Sequence, residues 1–517
     1  MRVHIRSQEP AFERTLVNIT GLFFENPIVS YGKEPEKDAE LELELTLSVT
    51  DGKIAAMAYY KPSVTEAEEP GINYTATDTR VVPQGADASG KAGRKLIKQA
   101  LCHALLDVLQ QATGIIQPWG ILTGVRPTKL LHERNKQGTD PQSSHKELQE
   151  QYLISDGRVR LMQRIVDRQL SAIPDLYDLK NEVSIYIGIP FCPTKCAYCT
   201  FPAYDINGRQ GSVNGFLHGL HYEMREIGKW LKQNGIRITT IYFGGGTPTS
   251  ITAEEMDALY DEMYASFPDV DQVREITVEA GRPDTISPEK LSVLLKWGIH
   301  RISINPQSYT QQTLDLIGRH HTVQETIAKF GLARASGMDN INMDLIIGLP
   351  GEGVEEFEHT LEETAKLMPE SVTIHTLSFK RASEMTQHRG TGKYKVATRD
   401  EINRMMERAV QWTDAFGYEP YYLYRQKNIL GNLENVGYAK PGMESLYNIL
   451  IIEEMQTIIG LGCGATSKWV DPATGIITRL ANPKEPKAYN DTYLQYTKTK
   501  LETLERLYGK QTAKVTG

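Results

Sequence analysis

The chain of 517 residues is longer than one hydrophobic core ordinarily supports, so two or three domains are expected. Its 40% apolar and 24% charged residues are enough to bury large cores, while a net charge of −8 and a pI near 5.9 argue against a broad nucleic-acid surface. No apolar run approaches the ~18 residues of a membrane span, and the start MRVHIRSQEP lacks the apolar stretch of a secretory leader, so a cytoplasmic protein without a membrane partner is expected.

The first ~175 residues read as an α+β domain. ELELELTLSV (40–49) alternates as a half-buried strand does, and Asp51-Gly52 is a hairpin turn into KIAAMAYY. Residues 64–93 are polar and rich in Gly, Asp and Glu, which predicts a long loop. Ile97, Leu101, Leu105 and Val108 then form one helical stripe that Gly114 can stop. Cys102 lies in this stripe and reads as a small buried apolar residue. In GILTGVRPTKLLHER (120–134), Arg126 and Lys129 flank a Pro that can open a helix. A polar stretch near 136–148 and a helical run to ~170 follow.

From 183 the texture changes. VSIYIGI, ITTIYFGG, EITVEA, HRISINP, NINMDLIIG and SVTIHTLSF alternate with helical patterns near 212–233, 253–266, 287–297, 311–335 and 354–367. Six strands with five helices between them predict βα units on a parallel sheet. Six are too few for a closed eight-stranded barrel, so the expected fold is α/β, a partial three-quarter TIM-type (βα)6 barrel over 176–380. Chemistry in such folds gathers at the C-terminal strand ends. Beyond 380, RMMERAVQWTDAFG reads as a helix, YEPYYLYRQ as a strand and GMESLYNILIIEEMQTIIGLGCG as a long helix ending in glycines. A smaller C-terminal α+β segment is therefore expected over 381–517, with 1–175 as the N-terminal domain.

Five cysteines make no disulfide framework in so long a chain, yet three crowd into CPTKCAYC after the first strand of the repeat. Cys192, Cys196 and Cys199 follow C-x3-C-x2-C, with no fourth thiol near and Cys463 isolated. A structural zinc wants four ligands, so a distant His would have to complete one. Three unligated thiols are the plainest alternative. A cubane 4Fe–4S cluster is usually held by four thiolates, and with three, one iron keeps an open position. After the second strand, YFGGGTPT (242–249) offers glycines that let backbone approach a ligand and bare N–H groups that can meet it.

C-x3-C-x2-C with an aromatic before its last Cys, followed by GGGTP after the next strand, resembles the radical S-adenosylmethionine (SAM) superfamily. More specifically, residues ~180–475 resemble the oxygen-independent coproporphyrinogen III oxidase (coproporphyrinogen dehydrogenase) family in its HemZ-like branch. The stretches that carry this are SIYIGIPFC, YFGGGTPT, ITVEAGRP, NPQSY, LIGRHHT, INMDLIIGLPGE, IHTLSFKRAS and IIGLGCGATS. The resemblance implies a 4Fe–4S cluster on Cys192, Cys196 and Cys199, and SAM contacted by Tyr186, Gly245 and Glu279. It also implies that Tyr198, Gly246, Thr247, Gln307, Arg319, Asp344 and Ser378 line a nucleoside site, in a pocket that holds a second SAM in the porphyrinogen enzyme. Thr466 matches from the C-terminal glycine segment. No catalytic side chain beyond cluster and cofactor is implied. His320 and His321 diverge as neighbours on a helix would and read as a loop or helix start.

The implied reaction is reductive cleavage of SAM to a 5′-deoxyadenosyl radical, which takes hydrogen from a propionate β-carbon. Loss of carbon dioxide and one further electron leaves a vinyl group, and two rounds turn coproporphyrinogen III into protoporphyrinogen IX. An electron donor such as flavodoxin or ferredoxin would feed the cluster. Lys380, Arg381, Arg425, Lys427, Arg126 and Lys129 are candidate cations for the substrate carboxylates. One departure matters: the dehydrogenase carries C-x3-C-x2-C-x-C, and Phe201 occupies the last position here. Haem-chaperone relatives share that loss. The alternatives are thus a haem-binding chaperone on a radical SAM scaffold and a radical enzyme that opens haem itself. Modification of tRNA is disfavoured by the acidic balance.

Overall fold

A computed structural model describes residues 1–24, 27–34, 36, 38–50, 52–62, 73–83, 87, 90–206, 211–380, 383–388, 391–426 and 429–509. They divide into two units, 1–163 and 164–517. In the first, β1 (Arg2–Ser7), α1 (Glu13–Thr20), β2 (Ile28–Gly32), β3 (Leu41–Thr50), β4 (Lys53–Pro62) and β5 (Tyr74–Val81) give a sheet ordered β2-β1-β3-β4-β5. The alternation of β3 puts Leu41, Leu43 and Leu45 on one face, where Ile54, Ala56 and Ala58 of β4 join them. α2 (Lys91–Thr113) lays Leu101, Cys102, Leu105 and Val108 into the same core, and Gly114 closes it at φ +70°, as predicted. Thr50 pairs with Lys53, so the connection has two residues; Gly52 takes φ +70°, and Asp51 lies outside the described residues.

The expected loop over 64–93 is corrected in part: Tyr74–Val81 is a strand paired antiparallel with β4. It is an edge strand that buries only Ala76, so its Thr-rich sequence gives no apolar alternation to read. Residues 63–72 lie outside the description. α3 (Lys129–Lys136) starts two residues after Pro127, and the polar stretch beyond it contains α4 (Pro141–Tyr152), capped by the Asp140 carboxylate on the Ser143 N–H. α5 (Asp156–Ala172) follows.

The second unit is built on an 11-stranded sheet, with a separate two-stranded one beside it in sequence. β6 (Glu182–Ile189) is followed by a two-residue parallel pair, β7 (Phe191–Cys192) with β8 (Tyr204–Asp205). The repeat continues through α6 (Val213–Asn234), β9 (Arg237–Gly245), α7 (Ala253–Ser266), β10 (Glu275–Glu279), α8 (Pro288–Lys296) and β11 (Arg301–Ser303). α9 (Gln311–Leu316), α10 (Val323–Ala335), β12 (Ile341–Ile347), α11 (Val354–Leu367) and β13 (Ser371–Thr376) complete it. The six predicted strands lie side by side in chain order, all parallel. Every residue of β6 but Tyr186 is buried, as a strand covered on both faces requires. The single helix expected over 311–335 is two: Gly318 at φ +76° ends the first, and Thr322 caps the second on the Glu325 N–H.

The residues after 380 bring the largest correction. They form α12 (Glu384–Gln387), α13 (Arg399–Ala415), β14 (Glu419–Tyr424), β15 (Asn435–Ala439), α14 (Leu446–Glu453), β16 (Thr457–Gly462), β17 (Thr466–Val470), β18 (Ile477–Ala481) and α15 (Pro486–Tyr508). The long helix expected up to the glycines stops at Glu454, in the left-handed region, and TIIGLG becomes β16, parallel beside β6. A continuous apolar run reads equally as buried helix or buried strand; the β-branched Thr-Ile-Ile decides for strand. Rather than standing apart, this segment extends both sides of the sheet, β15-β14 beyond β13 and β16-β17-β18 beyond β6. Among the described residues no helix is long and apolar enough to cross a membrane.

Candidate active site

At the C-terminal ends of β6 and β9 two backbones meet more closely than side chains allow. Gly246 N–H donates to Ile189 O at 2.7 Å, Thr247 N–H to Phe191 O at 2.8 Å, and Ser250 Oγ to Phe191 O at 3.2 Å. A Cβ on Gly246 would lie 2.5 Å from Phe191 O, and one on Gly245, at φ +112°, 2.8 Å from Ile189 O. The glycines thus serve first as a strap that seats the cysteine loop. The amides of residues 246 and 247, expected to be bare for a ligand, are spent on that strap.

The loop hangs from the strap by Cys192, which is buried with its Sγ 3.3 Å from Thr247 Oγ1. Its middle is pinned by Ala197, which donates its N–H to Ile317 O at 2.9 Å, accepts from Met385 N–H at 3.1 Å, and packs with Leu314, Ile346, Leu349, Leu377 and Phe379. Thr194 Oγ1 donates to Gly318 O at 3.2 Å. Cys196 and Cys199 are half-buried on the same loop. Burial pushes the Cys192 thiol up to about 11, with the neighbouring Cys199 and Cys196 raising it further and Thr247 opposing. Such thiols gain from a cation that holds them as thiolates. Cys102 and Cys463 stand away from the loop; Cys463 Sγ donates to Pro483 O and Lys484 O at 3.3 and 3.1 Å.

Around the loop the predicted residues differ in how much of their polar capacity is spent, and Arg319 Nε and Gln307 Oε1 are both buried without a partner among the described residues. Arg319, 3% exposed, donates Nη2 to Gly281 O and Asn305 O at 2.7 and 2.8 Å and Nη1 to Tyr198 Oη at 3.3 Å. It staples the cysteine loop to the exits of β10 and β11. Asp344 accepts from Asn305 Nδ2 and Asn342 Nδ2, both at 2.9 Å, and lies 3.6 Å from His375 Nε2. Burial raises its pKa, but His375 and the donors outweigh that and hold it below the usual range. Gln307 differs: its backbone sits at φ +67°, a costly conformation for a residue with a side chain, and its buried Oε1 has no hydrogen-bond partner among the described residues.

Glu279 ends β10 and accepts from Tyr242 Oη at 2.5 Å and from the Gly245 N–H. Desolvation first, then the charge of Asp344, pushes it up to about 7. Tyr242 stacks on Tyr186 and Tyr447 with ring centroids 6.1 and 4.4 Å away. Thr466, at the start of β17, stands across β16 from Tyr186, and Ser378 bridges Ile429 just past β13. His320 is exposed and His321 buried between α9 and α10, as the divergence of adjacent side chains predicts. Of the substrate cations, Lys380 lies over the Phe201 ring at 5.6 Å, and Arg425 is buried with Nη2 2.8 Å from Asn432 Oδ1. Arg126 and Lys129 belong to the first unit; Arg381 and Lys427 lie outside the described residues.

Five residues at the site were not singled out from sequence, Tyr242 among them although it opens the quoted stretch YFGGGTPT. Arg282 and His375 sit inside quoted strand-end stretches, where position relative to Glu279 and Asp344 is a usable signal. Asn305 stands two residues before Gln307. Tyr447 gave no signal, because it opens the segment misread as one long helix.

Residues 186–364 match the family model of the radical SAM superfamily. Over 499 residues the chain is 59% identical to the oxygen-independent coproporphyrinogen-III oxidase-like protein HemZ of Bacillus subtilis, covering 96% of this chain and 97% of that protein. The chain belongs to that family. It is also 30% identical to the heme chaperone HemW of Bacillus subtilis over 326 residues, 62% of this chain and 81% of that one. The solved coproporphyrinogen III oxidase HemN of Escherichia coli, a radical SAM enzyme, shares the fold at 21% identity and a TM-score of 0.50, over 63% of this chain and 72% of that one.

Membership in the radical SAM superfamily implies a 4Fe–4S cluster and SAM, and the loop fits the cluster. Cys196 lies close enough to raise the thiols of both Cys192 and Cys199, yet among the described residues no three His, Cys, Asp or Glu side chains converge as ligands of a single ion. A zinc would draw its sulfurs to about 2.3 Å from one centre, whereas a cube sends each thiolate to a different iron and needs them further apart.

Proposed function

We propose that this protein performs the oxygen-independent oxidative decarboxylation of coproporphyrinogen III propionates to vinyl groups, giving protoporphyrinogen IX. The observation that carries the reading is the strapped three-thiol loop in a chain 59% identical, nearly end to end, to a coproporphyrinogen-III oxidase-like protein. In this reading the six sequential strands curl as a three-quarter barrel, with their C-terminal ends around the reaction.

Cys192, Cys196 and Cys199 hold the cluster, and Arg319 and the glycine strap fix their loop. When bound, cluster and SAM supply one-electron cleavage and hydrogen-atom abstraction. Glu279 in its ionised form would meet the SAM ammonium, with the Tyr186 ring nearby and Tyr242 Oη donating to its carboxylate. Gln307 Oε1 is an acceptor for a nucleoside donor, and Asp344 is held ionised for ribose or a second SAM. Of the candidate cations in the second unit, Lys380 and Arg425 are suited to propionate. A flavodoxin- or ferredoxin-like protein in the cytoplasm would supply the electrons.

A second reading, haem delivery, is favoured by Phe201, 58% exposed where the dehydrogenase has a cysteine, and by the identity to HemW. Stoichiometry separates the two. The reduced enzyme should form 5′-deoxyadenosine only when coproporphyrinogen III is present, whereas a chaperone would bind haem tightly and form none in response to the porphyrinogen.

A further inference from the structure

We propose that Arg282 is a positioning residue of the cluster, whose guanidinium sets the reduction potential through Cys196. The residue leaves β10 three positions after Glu279, and its side chain, only 3% exposed, donates Nη1 to Cys196 Sγ at 3.7 Å. The rest of the fork is fixed: Nε and Nη2 donate to the two oxygens of Asp284 at 3.1 and 2.9 Å. The main chain around it is held as well. Gly281 O accepts from Arg319, Arg282 O accepts from Thr285 N–H and Oγ1, and Thr285 Oγ1 meets Thr249 Oγ1 of the glycine strap at 2.7 Å.

A buried cation aimed at a ligand sulfur has a defined consequence. Reduction adds one electron to the cluster, so a guanidinium at the thiolate stabilises the reduced form more than the oxidised form and raises the potential; hydrogen bonds to the sulfurs act in the same direction. Asp284, whose side chain is 26% exposed, partly neutralises that charge and sets how much of it the cluster feels. Cluster reduction is the step that precedes SAM cleavage in this superfamily, so Arg282 would govern how weak an electron donor suffices. The proposal rests on the cluster and not on which tetrapyrrole is used.

The test is a redox titration of the anaerobically reconstituted full chain, followed by the electron paramagnetic resonance of the reduced cluster, with iron counted in each sample. Arg282→Gln should lower the midpoint potential at unchanged iron content, and Arg282→Lys should lower it less. Asp284→Asn should raise it, by a smaller amount because solvent screens that carboxylate. Opposite shifts in the two single variants are something a merely structural ion pair would not produce. Wild-type potential in both Arg282→Gln and Asp284→Asn at full iron would overturn the proposal. Should Arg282→Gln lose iron, the sign of the Asp284→Asn shift decides alone. Absence of iron from the unaltered protein would instead overturn the cluster.

Discussion

Replacing Gly246 with Ala should detach the cysteine loop while leaving the sheet folded. The new Cβ would stand 2.5 Å from Phe191 O and 3.0 Å from Phe191 C and N, all backbone atoms with no rotamer to escape into. Restoring ordinary contact needs a movement of about 1 Å. Overpacking of that kind costs about 1–3 kcal/mol, and loss of the amide bonds from residues 246 and 247 to Ile189 and Phe191 adds about 1 kcal/mol each. The total, roughly 3–5 kcal/mol, is relieved most cheaply by releasing residues 190–199. Iron per chain after anaerobic reconstitution is the readout, with far-ultraviolet circular dichroism to show that the fold survives. Gly331→Ala in α10, where a Cβ meets nothing within 4 Å, is the control and should keep full iron. A Gly246→Ala protein with full iron and unaltered melting would refute the strap, returning the motif to a role in contacting the ligand alone.

Alanine at Cys192, Cys196 or Cys199 should abolish iron binding, whereas alanine at Cys102 or Cys463 should leave it intact; full iron in Cys196→Ala would contradict the site. Glu279, raised from its ordinary 4.5 to about 7, binds a proton in the folded protein over a range where the unfolded chain has lost it. Cofactor-free protein should therefore lose stability as pH rises from 4.5 to about 7, and Glu279→Gln should flatten that slope in denaturant titrations. Lys500 and Glu223 form a wholly buried ion pair in which Glu223 also accepts from Tyr489 Oη and Gly462 N–H, both at 2.7 Å. Lys500→Met leaves that carboxylate uncompensated, and chemical unfolding should show a loss of about 3–5 kcal/mol.

The repeat of strands and helices was legible because its periods are strong: all six strands were placed, and the cysteines and glycines fell where β6 and β9 end. What stayed hidden depended on tertiary partners. TIIGLG is apolar throughout and shows itself as a strand only beside β6, which carried Tyr447 and the edge of the site out of view. β5 was hidden for the opposite reason, since an edge strand of threonines buries too little to show a period. At the site, residue types predicted polar capacity but not how it is used. Arg319 looks from sequence like a group for a sugar or carboxylate, yet its Nη2 serves two main-chain carbonyls and its Nη1 serves Tyr198. The amides of the glycine motif followed the same course. Gln307, with its positive φ and unpartnered oxygen, keeps its capacity for a ligand.

Product mass tests the proposed activity most directly. Reduced enzyme, SAM and coproporphyrinogen III, incubated without oxygen, should yield tricarboxylic and then dicarboxylic porphyrinogen, each step losing one carbon dioxide as deoxyadenosine forms. Deoxyadenosine with no change in porphyrinogen mass, or tight haem binding with neither product, would contradict the decarboxylase reading.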